Sequence, residues 1–431
     1  HGEEHLLITK GAFSGILKVC GECDRDALEE RFRAFSEQGF RVLGVATRRL
    51  EGNGILSKDD ERDMTFSGFL LFDDPLKESV PETIRTLRDL GIRLKIVSGD
   101  SRLLVERIAR SLGIAAPKVL RGEDLRSMSD AALVRLVPEV DVFAEVEPNQ
   151  KERIILSLRK SGNAVGFLGD GINDAPALHA ADVGISVSGA ADVAREAADM
   201  VLLERDLRVL VNGIREGRRT FANTMKYVFM ATSANFGNMF SMAGASLFLP
   251  FLPLLPKQIL LTNILTDLPE TAIAGDDVDV EMADHPRKWD IVMIRKFMIV
   301  FGLLSSVFDA LTFVSLIGIL HAGTDAFRTG WFVESVVSAC CVTLVIRSRR
   351  PFFRSRPGKW LVVAIGATVL VASLLPLSPW ADVLGFSAPT RNAYVLIAVL
   401  VTAYLLAAER LKTFFFRRMT ERTQETKRAT A

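Results

Sequence analysis

The sequence predicts two architectures in one chain. An α/β domain with a doubly wound parallel sheet is followed by an all-α domain of six transmembrane helices. Three observations carry this. Asp and Glu concentrate in the first 220 of 431 residues, strand-like and helix-like runs alternate from Gly68 onward, and long apolar runs fill the second half. The averages conceal the division: 53 Lys and Arg against 52 Asp and Glu, with 49% apolar residues. A net charge of +1 gives no reason to expect nucleic acid as a partner. Four cysteines in a chain of this length exclude a disulfide scaffold.

In the first half, Gly68–Phe72 reads as an apolar strand and Ser79–Leu90 as an amphipathic helix. Leu94–Val97 is a buried strand ending in Ser98-Gly99-Asp100, followed by a helix at Arg102–Leu112. Val142–Ala144 and Ala164–Leu168 are strands, separated by a helix at Glu152–Lys160. Val183–Ile185 and Met200–Leu203 complete the set. Strands alternating with helices imply a parallel sheet. Ligands of such sheets sit at the carboxyl ends of the strands. Ser98, Asp100, Lys151, Asp170 and Asp174 all fall at or near such ends, so one phosphate and metal site can be assembled from them.

In the second half, apolar spans are expected at roughly 222–248, 253–274, 296–320, 330–346, 360–379 and 392–409. About 20 apolar residues cross a bilayer as a helix. The first two spans carry Asn or Asp in mid-segment, and polar groups inside membrane helices mark ion paths by default. Arg and Lys crowd the segments 275–296 and 347–359 and the tail after 410, whereas the alternate segments hold only Lys257, Arg328 and Arg391. The positive-inside rule then puts the basic segments, the tail and the first half in the cytoplasm, and the membrane expected for the spans is the plasma membrane. The expected divisions are 1–67, 68–220, 221–411 and a tail at 412–431. The chain opens on His1, inside what reads as a folded domain, and is expected to be a fragment or split product.

The densest motif is Gly169-Asp170-Gly171-Ile172-Asn173-Asp174-Ala175-Pro176-Ala177-Leu178. Two carboxylates four apart after a buried strand suit a hard cation such as Mg2+, which takes one or two carboxylates with phosphate oxygens and water. The glycines allow the backbone to approach a phosphate closely. Gly-Asp-Gly alone is equally well read as a strand-to-helix turn with a capping Asp.

This string resembles the hinge motif of the P-type ATPases, cation pumps built on a haloacid-dehalogenase-like phosphorylation domain. Further segments match in order: Lys10-Gly11-Ala12 and Phe40-Arg41-Val42-Leu43 of the nucleotide domain, Asp74-Pro75 with Lys77-Glu78, Ser98-Gly99-Asp100, and Pro148 followed by Lys151. The resemblance implies ATP and Mg2+ as cofactors. Lys10, Gly11 and Arg41 would bind nucleotide, Ser98 and Lys151 would contact the transferred phosphoryl, and Asn173 would help position it. Asp100 completes the Ser98 motif, Asp170 would hold the metal and Asp174 would support it. Residues 1–67 would then be the end of a nucleotide-binding domain. The family's nucleophilic Asp, in Asp-Lys-Thr-Gly-Thr, does not occur in the sequence. It is expected on a missing upstream segment, in the same or a partner chain, and without it this chain is expected to be inactive.

The expected transported-ion ligands are Asn235 and Asn238 in the first span and Asn263, Asp267 and Glu270 in the second, with Pro269 interrupting the helix. Asn263-Ile264-Leu265-Thr266-Asp267 resembles the family's ligand motif. The surroundings of Asn235, Pro286–Asp290, Ser306–Asp309 and Gly330–Glu334 resemble the magnesium-translocating branch, so the expected cargo is a divalent cation, Mg2+, with Ca2+ as the alternative. A non-catalytic half-pump and a membrane-anchored phosphatase remain as other classes. Asp309 and Glu334 are read equally as ligands or as structural partners of neighbouring helices. Cys20-Gly21-Glu22-Cys23 reads as a surface loop, Cys340 and Cys341 as packing thiols, and Arg347–Arg356 as a topology signal.

Overall fold

The computed structural model describes residues 4–38, 40–51, 60–72, 77–204, 206–284, 286, 287 and 289–430. Asp74-Pro75 lies outside the described residues. The chain divides into two compact units, His1–Gly213 and Ile214–Ala431, so the division falls seven residues before the expected 220, within the same long helix.

The first unit opens with an antiparallel sheet of β1 (Glu4–Ala12), β2 (Arg41–Glu51) and β3 (Thr65–Phe72). Helices α1 (Phe13–Val19) and α2 (Arg25–Glu37) lie between β1 and β2 in sequence. Phe13 of α1 stacks on Phe32 of α2 at 4.6 Å and meets Phe66 and Phe69 of β3 at 6.2 and 5.4 Å. The strand expected at Gly68–Phe72 therefore does not open the parallel sheet. It pairs antiparallel with β2 in register Arg41 to Phe72, because its aromatic face finds its core against α1 and α2. The expected boundary at 67 is corrected accordingly: the antiparallel unit extends through Phe72.

The α/β part follows as α3 (Val80–Asp89), β4 (Ile96–Val97), α4 (Arg102–Ser111), β5 (Val119–Arg121), α5 (Gly122–Ser127), α6 (Asp130–Leu136), β6 (Val142–Ala144), α7 (Pro148–Lys160) and β7 (Gly166–Leu168). It continues through α8 (Ala175–Ala180), β8 (Val183–Val187), α9 (Asp192–Ala197) and β9 (Met200–Leu202). Both sheets are parallel as expected, with strand orders β4-β6-β5 and β7-β8-β9. Strand β5 and helices α5 and α6 were not anticipated, because Val119–Arg121 is too short to show a period. One core joins the two sheets, with Phe143, Ile154, Phe167 and Leu178 packed together.

The second unit is helical: α10 (Arg208–Phe248), α11 (Pro256–Ala272), α12 (Val280–Ala283), α13 (Ile291–Val314), α14 (Thr324–Ile346), α15 (Lys359–Leu374), α16 (Ala381–Leu384) and α17 (Arg391–Thr430). Among the described residues, four helical segments are long and apolar enough to cross a membrane: Ile291–Ile319, Thr324–Ile346, Lys359–Leu377 and Arg391–Met419. The two other expected spans are helices, α10 and α11, but they fall below that standard: α11 has only 17 residues, and Asn235 and Asn238 interrupt the apolar run of α10. Helix α14 is the hub, with Phe327, Trp331, Phe332 and Val336 fully buried among its neighbours.

Candidate functional site

Strand β7 delivers Gly169 and Asp170 at its carboxyl end, and a short 3-10 turn over Ile172–Asp174 carries the chain into α8. Asp174 organises this turn. Its Oδ2 accepts the backbone N–H groups of Asp170 and Gly171 at 3.2 and 3.0 Å, and its Oδ1 accepts Lys151 Nζ at 2.7 Å. The pair is well shielded, with side-chain exposures of 16% for Lys151 and 10% for Asp174. Lys151 reaches it because Pro148 starts α7 at its first turn, where the missing N–H costs nothing.

The Ser98 loop is tied to the same helix from behind. Ser98 Oγ accepts the Asp100 N–H at 3.1 Å and donates to Asp100 Oδ2 at 2.9 Å. The Val146 N–H donates to the Ser98 carbonyl at 3.0 Å, two residues before α7 begins. Glu145, which the sequence reading did not single out, fixes this junction. Its N–H donates to the Asp100 carbonyl at 3.0 Å and its Oε1 accepts the Arg102 N–H at 3.2 Å. It does so at φ 57, in the left-handed region that a non-glycine residue enters only when its surroundings hold it there. No sequence signal marks such a residue.

Hydrogen bonds therefore run from Ser98 and Asp100 through Glu145 and Val146 to α7, and from Lys151 to Asp174 and the Asp170 backbone. Asp170 itself is exposed, and a cavity of about 350 Å³ opens beside it with Lys77, Ser79, Glu204 and Asp206 on its wall. Asn173 is exposed on the 3-10 turn. Among the described residues no three His, Cys, Asp or Glu side chains converge as a ready metal centre. Lys10 and Arg41 are exposed on β1 and β2, and Gly11 pairs with Gly44.

In the second unit, Asn238 and Glu270 line one cavity of about 30 Å³, with Thr266, Ser335 and Tyr404. That volume suits a single water or small ion. Asn235, Asn263 and Asp267 lie outside this cavity and are exposed. Thus α11 turns Glu270 inward and leaves Asn263 and Asp267 on an open face.

Cys20 is buried rather than in a surface loop: it bridges to Met64 and packs with Ile16 and Ala46. Arg347 is also internal, 2% exposed, and Asp276 Oδ2 accepts its guanidinium at 2.7 Å and Lys226 Nζ at 2.6 Å. The sequence reading found neither arrangement.

Residues 251–414 match the family described as cation transporting ATPase, C-terminus, and residues 19–182 match the haloacid dehalogenase-like hydrolase family. The chain is 40% identical, over 96% of its length, to the magnesium-transporting ATPase, P-type 1 of Escherichia coli strain K12, of which it covers 48%. The same-named protein of Salmonella typhimurium strain 14028s is 41% identical, again over 96% of the chain and 48% of the relative. A calcium-transporting ATPase of Bacillus cereus is 28% identical over 96% of the chain and 51% of the relative. The chain thus spans about half the length of the curated relatives it matches. Two family matches, one in each unit, and alignment along nearly the whole sequence lead to one conclusion: the chain is homologous along nearly all its length to P-type cation-transporting ATPases.

Proposed function

We propose that this chain is the C-terminal part of an ATP-driven pump that moves Mg2+ across the plasma membrane. The observation that carries the reading is the Lys151–Asp174 pair, 2.7 Å apart and bonded into the Asp170 loop, with the Ser98 loop tied to the helix that bears Lys151. Phosphoryl transfer is mostly positioning and charge stabilisation, and this frame supplies both. Ser98 donates its hydroxyl to a phosphoryl oxygen, Lys151 neutralises its charge, and Asn173 orients it. Asp170, exposed at the strand end and free to turn toward the cavity, is the carboxylate suited to hold Mg2+, with the Asp174 carboxylate keeping the loop in place. Mg2+ bound there would offset phosphate charge. Lys10, Gly11 and Arg41 fit the nucleotide end of the same reaction.

The attacking carboxylate comes from outside the chain. Strands β4 and β7 stand at the ends of their sheets, each paired on one side only among the described residues. A parallel strand between them would join the two sheets and could end beside Ser98, Lys151 and Asp170. The open face of α11 has the same logic: upstream helices would cover Asn263 and Asp267 and complete an ion site begun by Asn238 and Glu270. The similarity to magnesium-transporting relatives supports Mg2+ as cargo. The distribution of Arg and Lys between spans supports a cytoplasmic first unit and tail.

In the full-length protein, Asp267→Asn should abolish Mg2+ transport into proteoliposomes while ATP binding is kept, and unchanged transport would remove Asp267 from the ligand set. Asp170→Asn should stop phosphoenzyme formation, and phosphoenzyme at the wild-type level would refute its metal role.

A further inference from the structure

Asp309 of α13 and Glu334 of α14 are buried in the membrane unit, 3% and 1% exposed, and their carboxyl groups are hydrogen-bond neighbours. The two oxygens of Asp309 are both acceptors. Oδ2 takes the Ser241 hydroxyl of α10 at 2.6 Å, and Oδ1 takes the Trp331 indole N–H at 2.8 Å. Glu334 has Ser338 beside it, and its Oε2 is buried without a hydrogen-bond partner among the described residues. Tyr404 of α17 is buried within electrostatic range of both carboxyls, and its phenol pairs with Ser305. Among the described residues no Lys, Arg or His side chain takes part.

Two carboxylates in contact cannot both stay ionised away from water, since each charge opposes the other. The donors decide which one keeps the proton. An Asp309 fixed as acceptor by an indole and a hydroxyl suits the anion, and a third donor, a Glu334 carboxylic acid, completes its shell. The other oxygen of that acid is then a carbonyl oxygen, and leaving it unpartnered costs less than leaving a charged oxygen so.

We propose that Asp309 and Glu334 form a proton-binding site inside the membrane unit, with the proton on Glu334. None of its members belongs to the cation-ligand set of the preceding reading. The site is nonetheless joined to it, because Ser241 and Asn238 lie on the same helix and Ser335, next to Glu334, donates to Asn238 Oδ1 at 3.4 Å. A shift of α10 that moves Asn238 therefore also moves a donor of the proton site.

The test is infrared spectroscopy of the full-length protein in lipid, without ATP, so it does not depend on the pump being active. Wild type should show a buried carboxylic-acid C=O band at neutral pH that shifts in D2O. Glu334→Gln should remove the band, while Glu270→Gln should keep it. The Gln amide can still donate to Asp309, so folding should survive. If Glu334→Gln does not fold, Asp309→Asn provides the second reading: the band should shift in frequency as its acceptor becomes an amide. A wild-type protein without the band, or a band unchanged in both variants, overturns the proposal. Loss of the band on adding millimolar MgCl2 to wild type also overturns it, because the pair would then be a cation site.

Discussion

Asp174 shows how one side chain holds a loop and a charge together. One oxygen secures two backbone N–H groups and the other secures Lys151, so the carboxylate is an acceptor in three directions. Gly169 permits this approach, since a Cβ there would lie 2.6 Å from the Asp174 Cβ. Lys95 shows the opposite economy. It donates to the carbonyls of Pro138, at 3.0 Å, and Val140, joining the strand that leads to Ser98 to the segment entering β6. Burial, with the neighbouring Arg93 adding repulsion, lowers its pKa from 10.5 to about 8. The unfolded chain then binds more protons than the folded one between those values, so stability should rise with pH across that window. Thermal unfolding of the chain between pH 7.5 and about pH 10 checks this. Lys95→Met should flatten the rise, and a wild-type stability that falls through the window would refute the assignment.

At the scale of elements, the second unit is fastened by charge where its helices leave the apolar core. Asp276, after α11, accepts Lys226 of α10, Arg347 at the end of α14 and the Gly358 N–H before α15, and it is 2% exposed. Lys412 of α17 adds bonds to the carbonyls of Val345 and Arg350 at 2.9 and 2.8 Å. Removing one member of a buried ion network leaves the others charged and unpaired, at a cost of about 3–5 kcal/mol. Asp276→Ala should therefore lower stability by about that amount, whereas Lys226→Met should cost less because Arg347 still pairs with Asp276. Thermal melts in detergent separate the two, and equal losses would show that Arg347 does not hold the anion. This network also marks what the sequence could convey. The strings around Asp170, Ser98 and Lys151 were legible because their spacing is local and their residue types match the chemistry. Asp276 pairs with partners 50 and 71 residues away, and such a pairing leaves no local pattern. Arg347 was read as part of a basic topology signal for the same reason. The strand at Thr65–Phe72 was found but placed in the wrong sheet, since an apolar run does not declare its partner.

For the molecule as a whole, the open edges of β4 and β7 bear most directly on the proposed use of the chain. In β4 the N–H groups of Ile96 and Ser98 donate to Asp141 and Phe143, on the β6 side. The alternation of strand hydrogen bonds turns the Val97 N–H to the other edge. In β7 Gly169 donates to Ile185 of β8, which turns the Leu168 N–H to its open edge by the same alternation. Leu168 is 42% exposed, an uncommon position for a leucine at the end of a parallel strand. If the upstream segment supplies a strand between these edges, Val97 and Leu168 are the two amides that acquire partners. Hydrogen exchange with residue resolution reads this directly. In this chain alone Val97 and Leu168 should exchange rapidly while Ile96, Ser98 and Gly169 are protected. In the full-length protein Val97 and Leu168 should slow by about 100-fold or more, equivalent to about 2.7 kcal/mol of added local stability. Protection that rises evenly across the unit would indicate general stabilisation instead. Equal rates at Val97 and Leu168 in both proteins would mean that no strand enters there, and the nucleophile would have to reach Ser98 and Lys151 by another path.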